Sequence, residues 1–221
     1  MIDFHKIDFI YCVNNDQQFQ ESWNHVGALR VPDGYNIGLK IVKNCNGIAN
    51  GYNQALSQSN AKYKIYIHQD VNILYQNFLY EILSLFIKYP HLGMLGMLGA
   101  NRLPLNGVWW EAEKTYGKVY FFGQFLPGNT EVYGEFESVQ AIDGMIMITQ
   151  YDLPWRQDLL PGWHFYDASQ SLEFIKAGLA VGVPRQITPW CAHNTTTEML
   201  TFQVYQNAFL NEYRPLLNLL K

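Results

Sequence analysis

Charge is scarce in this chain. Asp, Glu, Lys and Arg together make up 15% of its 221 residues, too few for a disordered segment or a coiled coil. The balance leans negative, with 19 acidic residues against 15 basic ones for a net charge of −4, and no run of Lys or Arg occurs. That excludes nucleic acid as a partner bound by neutralising its backbone. Cysteine is scarce too. Cys12, Cys45 and Cys191 are an odd count without paired spacing, which fits a reducing compartment and so a cytoplasmic location. The opening stretch, MIDFHKIDFIYCVNN, has no cationic segment leading into an apolar one, so it does not read as a signal peptide. The most apolar run, LGMLGMLGA at 92–100, is about half the length that crosses a bilayer as a helix. No transmembrane segment is expected. Three catalytic signatures are also missing: the phosphate loop G-x-x-x-x-G-K-[ST], a strand-linked G-x-G-x-x-G and the nucleophile elbow G-x-S-x-G. Kinases, Rossmann dehydrogenases and α/β-hydrolases lose ground accordingly.

What is present is apolar and aromatic surface, 48% and 15% of residues respectively. At this length a single domain over 1–221 can bury its own core without a staple. IDFIYCV at 7–13 reads as a buried strand that breaks at Asn14-Asn15, with Asp16 able to cap a helix carrying Phe19 and Trp23 inward. A second strand is expected at Gly38–Val42, then an Asn- and Gly-rich loop passing into a helix with Tyr52, Ala55 and Leu56 on one face. YKIYI at 63–67 alternates as a strand, and 74–89 has helical spacing through Phe78, Ile82 and Phe86 up to Pro90. Two strand–loop–helix cycles in this space predict an α/β fold with a mostly parallel sheet. Residues 101–138 read as a looped, β-rich insertion, 139–148 as a further strand, and 169–177 as a helix stopped by Gly178. Thr195-x-x-Glu198 is a capping-box pattern ahead of an amphipathic helix through Met199, Phe202 and Phe209.

Three clusters could carry chemistry. His68-Gln69-Asp70 directly follows a strand, where open α/β sheets bind their ligands. A carboxylate there can hold Mg²⁺ or Mn²⁺, or simply cap the next helix. Trp163-His164-Phe165-Tyr166-Asp167 sets one carboxylate among aromatics, surroundings that raise its pKa toward that of a useful general base, although Asp167 could equally cap the following helix. Cys191-Ala192-His193 is a weak zinc pattern, and Asp143-Gly144 could be only a tight turn.

Taken in order, six stretches resemble the glycosyltransferase family-two-like proteins of GT-A fold. They are IDFIYCVNND, NGIANGYNQAL, YIHQDVNI, LGMLGMLGANRLP, VQAIDGMIMITQ and WHFYDASQSLEFIKAGLAVGVP. The match runs from residue 7 to about 195 and is nearest to a compact bacterial subgroup that writes the Asp-x-Asp signature as His-Gln-Asp. The resemblance implies a Rossmann-like GT-A sheet with helices on its faces and a nucleotide-diphosphate-sugar donor across the N-terminal half. It puts Cys12, Val13 and Asn14 against the base and ribose, Asn46, Tyr52 and Asn53 on the donor side with His68 and Gln69, and Asp70 on a divalent cation, Mn²⁺ or Mg²⁺. His193 matches a C-terminal polar position able to complete the metal or phosphate site. Asp143 and Gly144 face the acceptor, Asp167 matches the base that deprotonates the acceptor hydroxyl, and direct attack inverts the anomeric carbon. Trp109, Trp110 and Trp163 offer flat faces to sugar rings beside His164.

The sequence departs from the wider family at His68, in place of an Asp, and at Tyr166, in place of a Glu. It also lacks the long C-terminal extension or membrane helices of many polysaccharide-making relatives, so either a partner supplies acceptor binding or the glycan or glycoconjugate acceptor is small or already assembled, with peripheral membrane contact through LLNLLK open. Two other readings stand beside the transferase. One is a non-catalytic nucleotide-sugar-binding module. The other is a nucleotidyltransferase, which would carry cations in the loop where this chain has NNDQQF.

Overall fold

The first strand shows how period-two patterning divides the interior. A computed structural model describes residues 1–194 and 199–220, and in it β1 spans Asp3–Val13. Ile7, Phe9 and Tyr11 point into one core, while Ile10 between them points into another, as side chains alternate along a strand. β1 lies between two parallel neighbours, β2 (Asn36–Lys43) and β3 (Ala61–Ile67). The helix α1 (Asp16–Gly27) follows β1 and adds Val26 to the first core. Its cap is Asn15, whose Oδ1 accepts from the N–H groups of Gln17 and Gln18 at 3.1 and 3.2 Å. Asp16, the residue expected to cap, sits one position further on and pairs with Lys43 at 2.6 Å instead. The helix α2 (Ile48–Ser57) covers the opposite face, with Tyr52 and Ala55 buried in the second core.

The segment after β3 differs from the helix expected over 74–89. Residues Val71–Ile73 form β4, and the helix α3 starts only at Phe78 and ends at Lys88. The helix thus lies within the expected span, and the short strand ahead of it forms because it pairs antiparallel with a distant strand, β13 (Cys191–His193), a partner that local spacing cannot reveal. Asp70 therefore caps no helix, since the element following it is a strand.

LGMLGMLGA divides into β5 (Leu92–Gly96) and β6 (Leu98–Ala100). The insertion supplies β7 (Thr115–Phe121), β8 (Gln124–Pro127) and β9 (Phe136–Ser138). The single strand expected over 139–148 is broken at Asp143 into β10 (Ala141–Ile142) and β11 (Ile146–Thr149). The main sheet has the order β2-β1-β3-β11-β5, continued by β12 (Ala180–Pro184) and β9. Its β2-β1-β3 and β5-β12 neighbours are parallel, as expected of strand–helix cycles, whereas β11 runs antiparallel to both β3 and β5. β11 enters from a tight turn rather than from a crossover helix, so nothing obliges it to run parallel. The second sheet has the order β10-β6-β7-β13-β4, with β8 on β7. The turn between β10 and β11 thus joins the two sheets.

The helix α4 (Tyr166–Lys176) packs Phe174 into the second core, and Gly178 follows it with φ +78°, the left-handed conformation that ends helices. The helix α5 (Phe202–Leu219) buries Phe209, Tyr213 and Leu217 at intervals of four, as a helix face requires. Met199 precedes α5 rather than lying in it, and the Thr195–Glu198 capping box falls outside the described residues. Of the LLNLLK leucines, Leu217 is buried, Leu216 and Leu220 pack beside it, and Leu219 is exposed. Among the described residues no helix is long and apolar enough to cross a membrane.

Candidate active site

Three chain segments meet where the two sheets join. β3 delivers His68, Gln69 and Asp70 at its carboxyl end, β13 ends on His193, and α4 begins with Tyr166 and Asp167. The register of β13 against β4 sets His193 opposite Val71, which brings its imidazole to Asp70. His193 Nε2 lies 3.3 Å from Asp70 Oδ1. The junction turn closes against the same point: the His68 N–H donates to Met145 O at 3.0 Å, and Asp143 Oδ1 accepts from the Met145 N–H at 2.8 Å.

His68, Asp70 and His193 each offer a ligand atom within 4.8 Å of the others. His193 Nε2 is buried and faces the Asp70 carboxylate, itself a candidate ligand, an arrangement that suits a cation-binding nitrogen. The electrostatics agree with that use. Burial pushes the His68 imidazole down to about 4, with repulsion from His193 adding to it, so the ring is neutral at pH 7. Burial also opposes ionisation of Asp70, but the adjacent His193 and then His68 outweigh it and hold the carboxyl below its usual range. An ionised carboxylate among imidazoles fits a divalent cation, and the nitrogen content favours Mn²⁺ over Mg²⁺, which prefers oxygen throughout.

A cleft of about 290 Å³ opens beside this cluster, and His68 and His193 line it together with Asp143, Gly144 and Asp167. Asp167 lies in the first turn of α4, where its Oδ1 accepts from the Ala168 N–H at 2.8 Å. It does not cap the helix. Phe165 occupies that position with φ 61° and makes no side-chain cap bond. Burial and then the charge of Asp143 raise Asp167 to about 7. A carboxyl tuned so close to neutrality can accept a proton at physiological pH. Trp109, Trp110, Trp163 and His164 also line the cleft, with Trp110 and Trp163 about half exposed at 52% and 47%. Phe202 and Met199 also reach the cleft. Sequence reading saw these two only as the apolar face of a helix, because the docking of α5 on this side leaves no local signal.

The expected donor-side residues fall elsewhere. Asn14 and Asn46 are exposed beyond β1 and β2. Gln69 Oε1 accepts from the N–H groups of Asn14 and Asn15, both at 2.9 Å, and its amide donates to Asn14 Oδ1. Gln69 therefore ties two loops together. Val13 is buried, and Cys12, half-buried, shares a thiol hydrogen bond with Cys45 that pushes the Cys12 thiol up. Tyr52 is fully buried, with its ring against Tyr66 and Trp155. Both polar atoms of the Asn53 amide hold the Trp155 backbone, at 2.8 and 2.9 Å, fixing the loop that leads toward Trp163.

Gly144 shows why a side chain is excluded beside Tyr166, since a Cβ there would lie 2.1 Å from the Tyr166 hydroxyl. Gly144→Ala is expected to displace that hydroxyl from His68 and to lower stability by about 1–3 kcal/mol, the usual range for overpacking. Thermal denaturation of the variant checks this, and an unchanged midpoint would contradict it.

A mixed central sheet flanked by helices is the architecture of GT-A glycosyltransferases. Solved structures bear out the fold. GalNAc-T7 with UDP, GalNAc and Mn²⁺ aligns at TM-score 0.64 and 9% identity over 89% of this chain and 45% of that one. Residues 1–349 of S. aureus TarS in complex with UDP align at 0.55 and 10% identity, covering 92% and 64%. The mannosyltransferase PcManGT from Pyrobaculum calidifontis, in complex with GDP-Man and Mn²⁺, aligns at 0.55 and 10%, covering 98% and 72%. The chain thus spans less than two thirds of the TarS fragment and under half of GalNAc-T7. No curated protein matches the sequence significantly. Residues 8–213 match the family described as "Glycosyltransferase like family", and the chain belongs to it.

Proposed function

We propose that this protein is an inverting, cation-dependent glycosyltransferase that moves a sugar from a nucleotide-diphosphate donor to a glycan or glycoconjugate acceptor. The observation that carries the reading is the shared cleft. A carboxyl tuned to about 7 lines the same space as His68, His193 and two half-exposed tryptophans. Asp70 and His193 would hold Mn²⁺ or Mg²⁺. Bound there, such a cation supplies Lewis-acid stabilisation of charge on the departing diphosphate. Asp167 takes the proton of the acceptor hydroxyl. The freed oxygen forms a bond to the anomeric carbon as the bond from that carbon to the phosphate oxygen breaks. The electron pair leaves with the nucleoside diphosphate, and one displacement inverts the centre. Trp110 and Trp163 stack on the acceptor ring, while Asp143 keeps Asp167 basic by repulsion. Asn14 and Asn46 meet the nucleotide along the donor edge. The His-Gln-Asp spelling supports the compact bacterial subgroup. Free thiols at Cys12, Cys45 and Cys191 support a cytoplasmic setting.

A thermal-shift screen of nucleoside diphosphates and their sugars with Mn²⁺ tests donor binding. One ligand at a hundredfold excess over its Kd should stabilise the protein by about 2.7 kcal/mol, or roughly 5–10 °C for a chain of this size. No shift with any nucleotide would count against the reading.

A further inference from the structure

The three members of the cation cluster are not equivalent, because His68 is engaged by a residue outside the cluster. His68 Nε2 lies 2.5 Å from the Tyr166 hydroxyl. Tyr166 is buried at 6% exposure, and among the described residues His68 is the one hydrogen-bond partner of its hydroxyl. A buried O–H that fails to donate loses the full worth of its desolvation. The phenol proton therefore belongs on the line to Nε2, with the imidazole nitrogen accepting. A neutral imidazole that accepts at Nε2 carries its own proton on Nδ1. Neither nitrogen then has a lone pair to offer a cation.

We propose that Tyr166 is a positioning residue that locks His68 in the neutral Nδ1–H form. His68 thereby becomes a hydrogen-bond donor toward the anionic donor substrate, and cation binding falls to Asp70 and His193. The proposal rests on the transferase reading and deepens it. Gly144 belongs to the same device, since any side chain there would occupy the place of the Tyr166 hydroxyl. The geometry also explains how His68 can sit within 4.8 Å of two ligand groups without competing for the ion. Its N–H would instead face phosphate oxygens, for which a neutral donor is suited.

Two measurements test this. Long-range ¹H–¹⁵N correlation of the histidine rings in the wild-type protein should give His68 a protonated Nδ1 and an unprotonated Nε2. Tyr166→Phe should lose that pattern while keeping the fold. Mn²⁺ titration followed by electron paramagnetic resonance provides the second. His68→Asn places an amide N–H near the position of Nδ1–H and should keep Mn²⁺ affinity within about threefold of wild type. Asp70→Asn and His193→Ala should each weaken it at least about tenfold, the scale on which even outer partners of metal ligands act. An Nε2–H signature for His68, or a loss of Mn²⁺ affinity in His68→Asn equal to that in His193→Ala, would overturn the proposal. Wild-type protein that binds no Mn²⁺ would instead count against the cation-dependent function and leave the ring signature to decide the role of Tyr166.

Discussion

Asp167→Asn is expected to lower turnover by about 10²–10⁴-fold, the usual contribution of a positioned general base, with donor affinity nearly unchanged. The substitution keeps the size of the side chain and removes its basic site, while Asp70 and His193 stay whole. Steady-state kinetics with an acceptor found by screening would check the split between turnover and donor binding. If donor affinity collapses and turnover at saturation stays normal, the base lies elsewhere, and Asp143 becomes the next carboxylate to test. The wild-type rate should rise with pH through about 7, because the base acts only when ionised. That acidic limb should vanish in the Asn variant.

The same carboxyl makes a separate prediction about stability. Its pKa is raised in the fold from 3.8 to about 7, by burial and then by Asp143. The folded state therefore holds the proton more tightly than the unfolded chain does. That advantage is complete below about pH 3.8 and is lost as pH rises through about 7. Asp167→Asn has no proton to lose, so its midpoint relative to wild type should climb between pH 4 and pH 8. A relative midpoint that falls over this interval would mean that the fold favours the ionised carboxylate.

The second large effect is expected at Asp70. Asp70→Asn should abolish most cation-dependent donor binding while leaving the protein folded, because no helix depends on Asp70 as a cap. Chelation of wild-type protein with EDTA should likewise abolish transfer, and Mn²⁺ should restore it more fully than Mg²⁺, given imidazole among the ligands. Circular dichroism alongside calorimetric donor titration separates the two possibilities. Unfolding of the variant without a specific binding defect would return Asp70 to a structural role.

How much of this could be read from residues alone depends on whether the determinant is local. The strands at 7–13 and 63–67 and the helices around Tyr52 and Phe174 were legible because each carries its own period and its own stop. His68, Asp70, Asp143 and Asp167 stand out in the sequence at a strand end or beside a Gly or an aromatic run, and His193 through the resemblance; the fold gathers His68, Asp143, Asp167 and His193 around one cleft, with Asp70 beside His68 and His193. Pairing at a distance was not. β4 exists because of β13, more than a hundred residues away, and β11 runs antiparallel because it enters from a turn. For the same reason the contacts of Tyr52 and Asn53 with Trp155 leave no trace in their own loop-to-helix segment. Their packing against Trp155 depends on a segment a hundred residues later. The contact between His68 and Tyr166 was hidden likewise. Sequence reading marks both as departures from the wider family, and only the fold shows that they touch.

The central claim is cation-dependent sugar transfer from a nucleotide-diphosphate donor, and the most direct test is release of nucleoside diphosphate. Wild-type protein would be incubated with a panel of UDP- and GDP-linked sugars, with Mn²⁺ and separately with EDTA, and the free diphosphate measured over time. At least one donor should be turned over with Mn²⁺, by slow hydrolysis where no acceptor is present, and none with EDTA. Tight donor binding without any release would make the protein a binding module, and equal release in chelator would contradict the role given to Asp70 and His193.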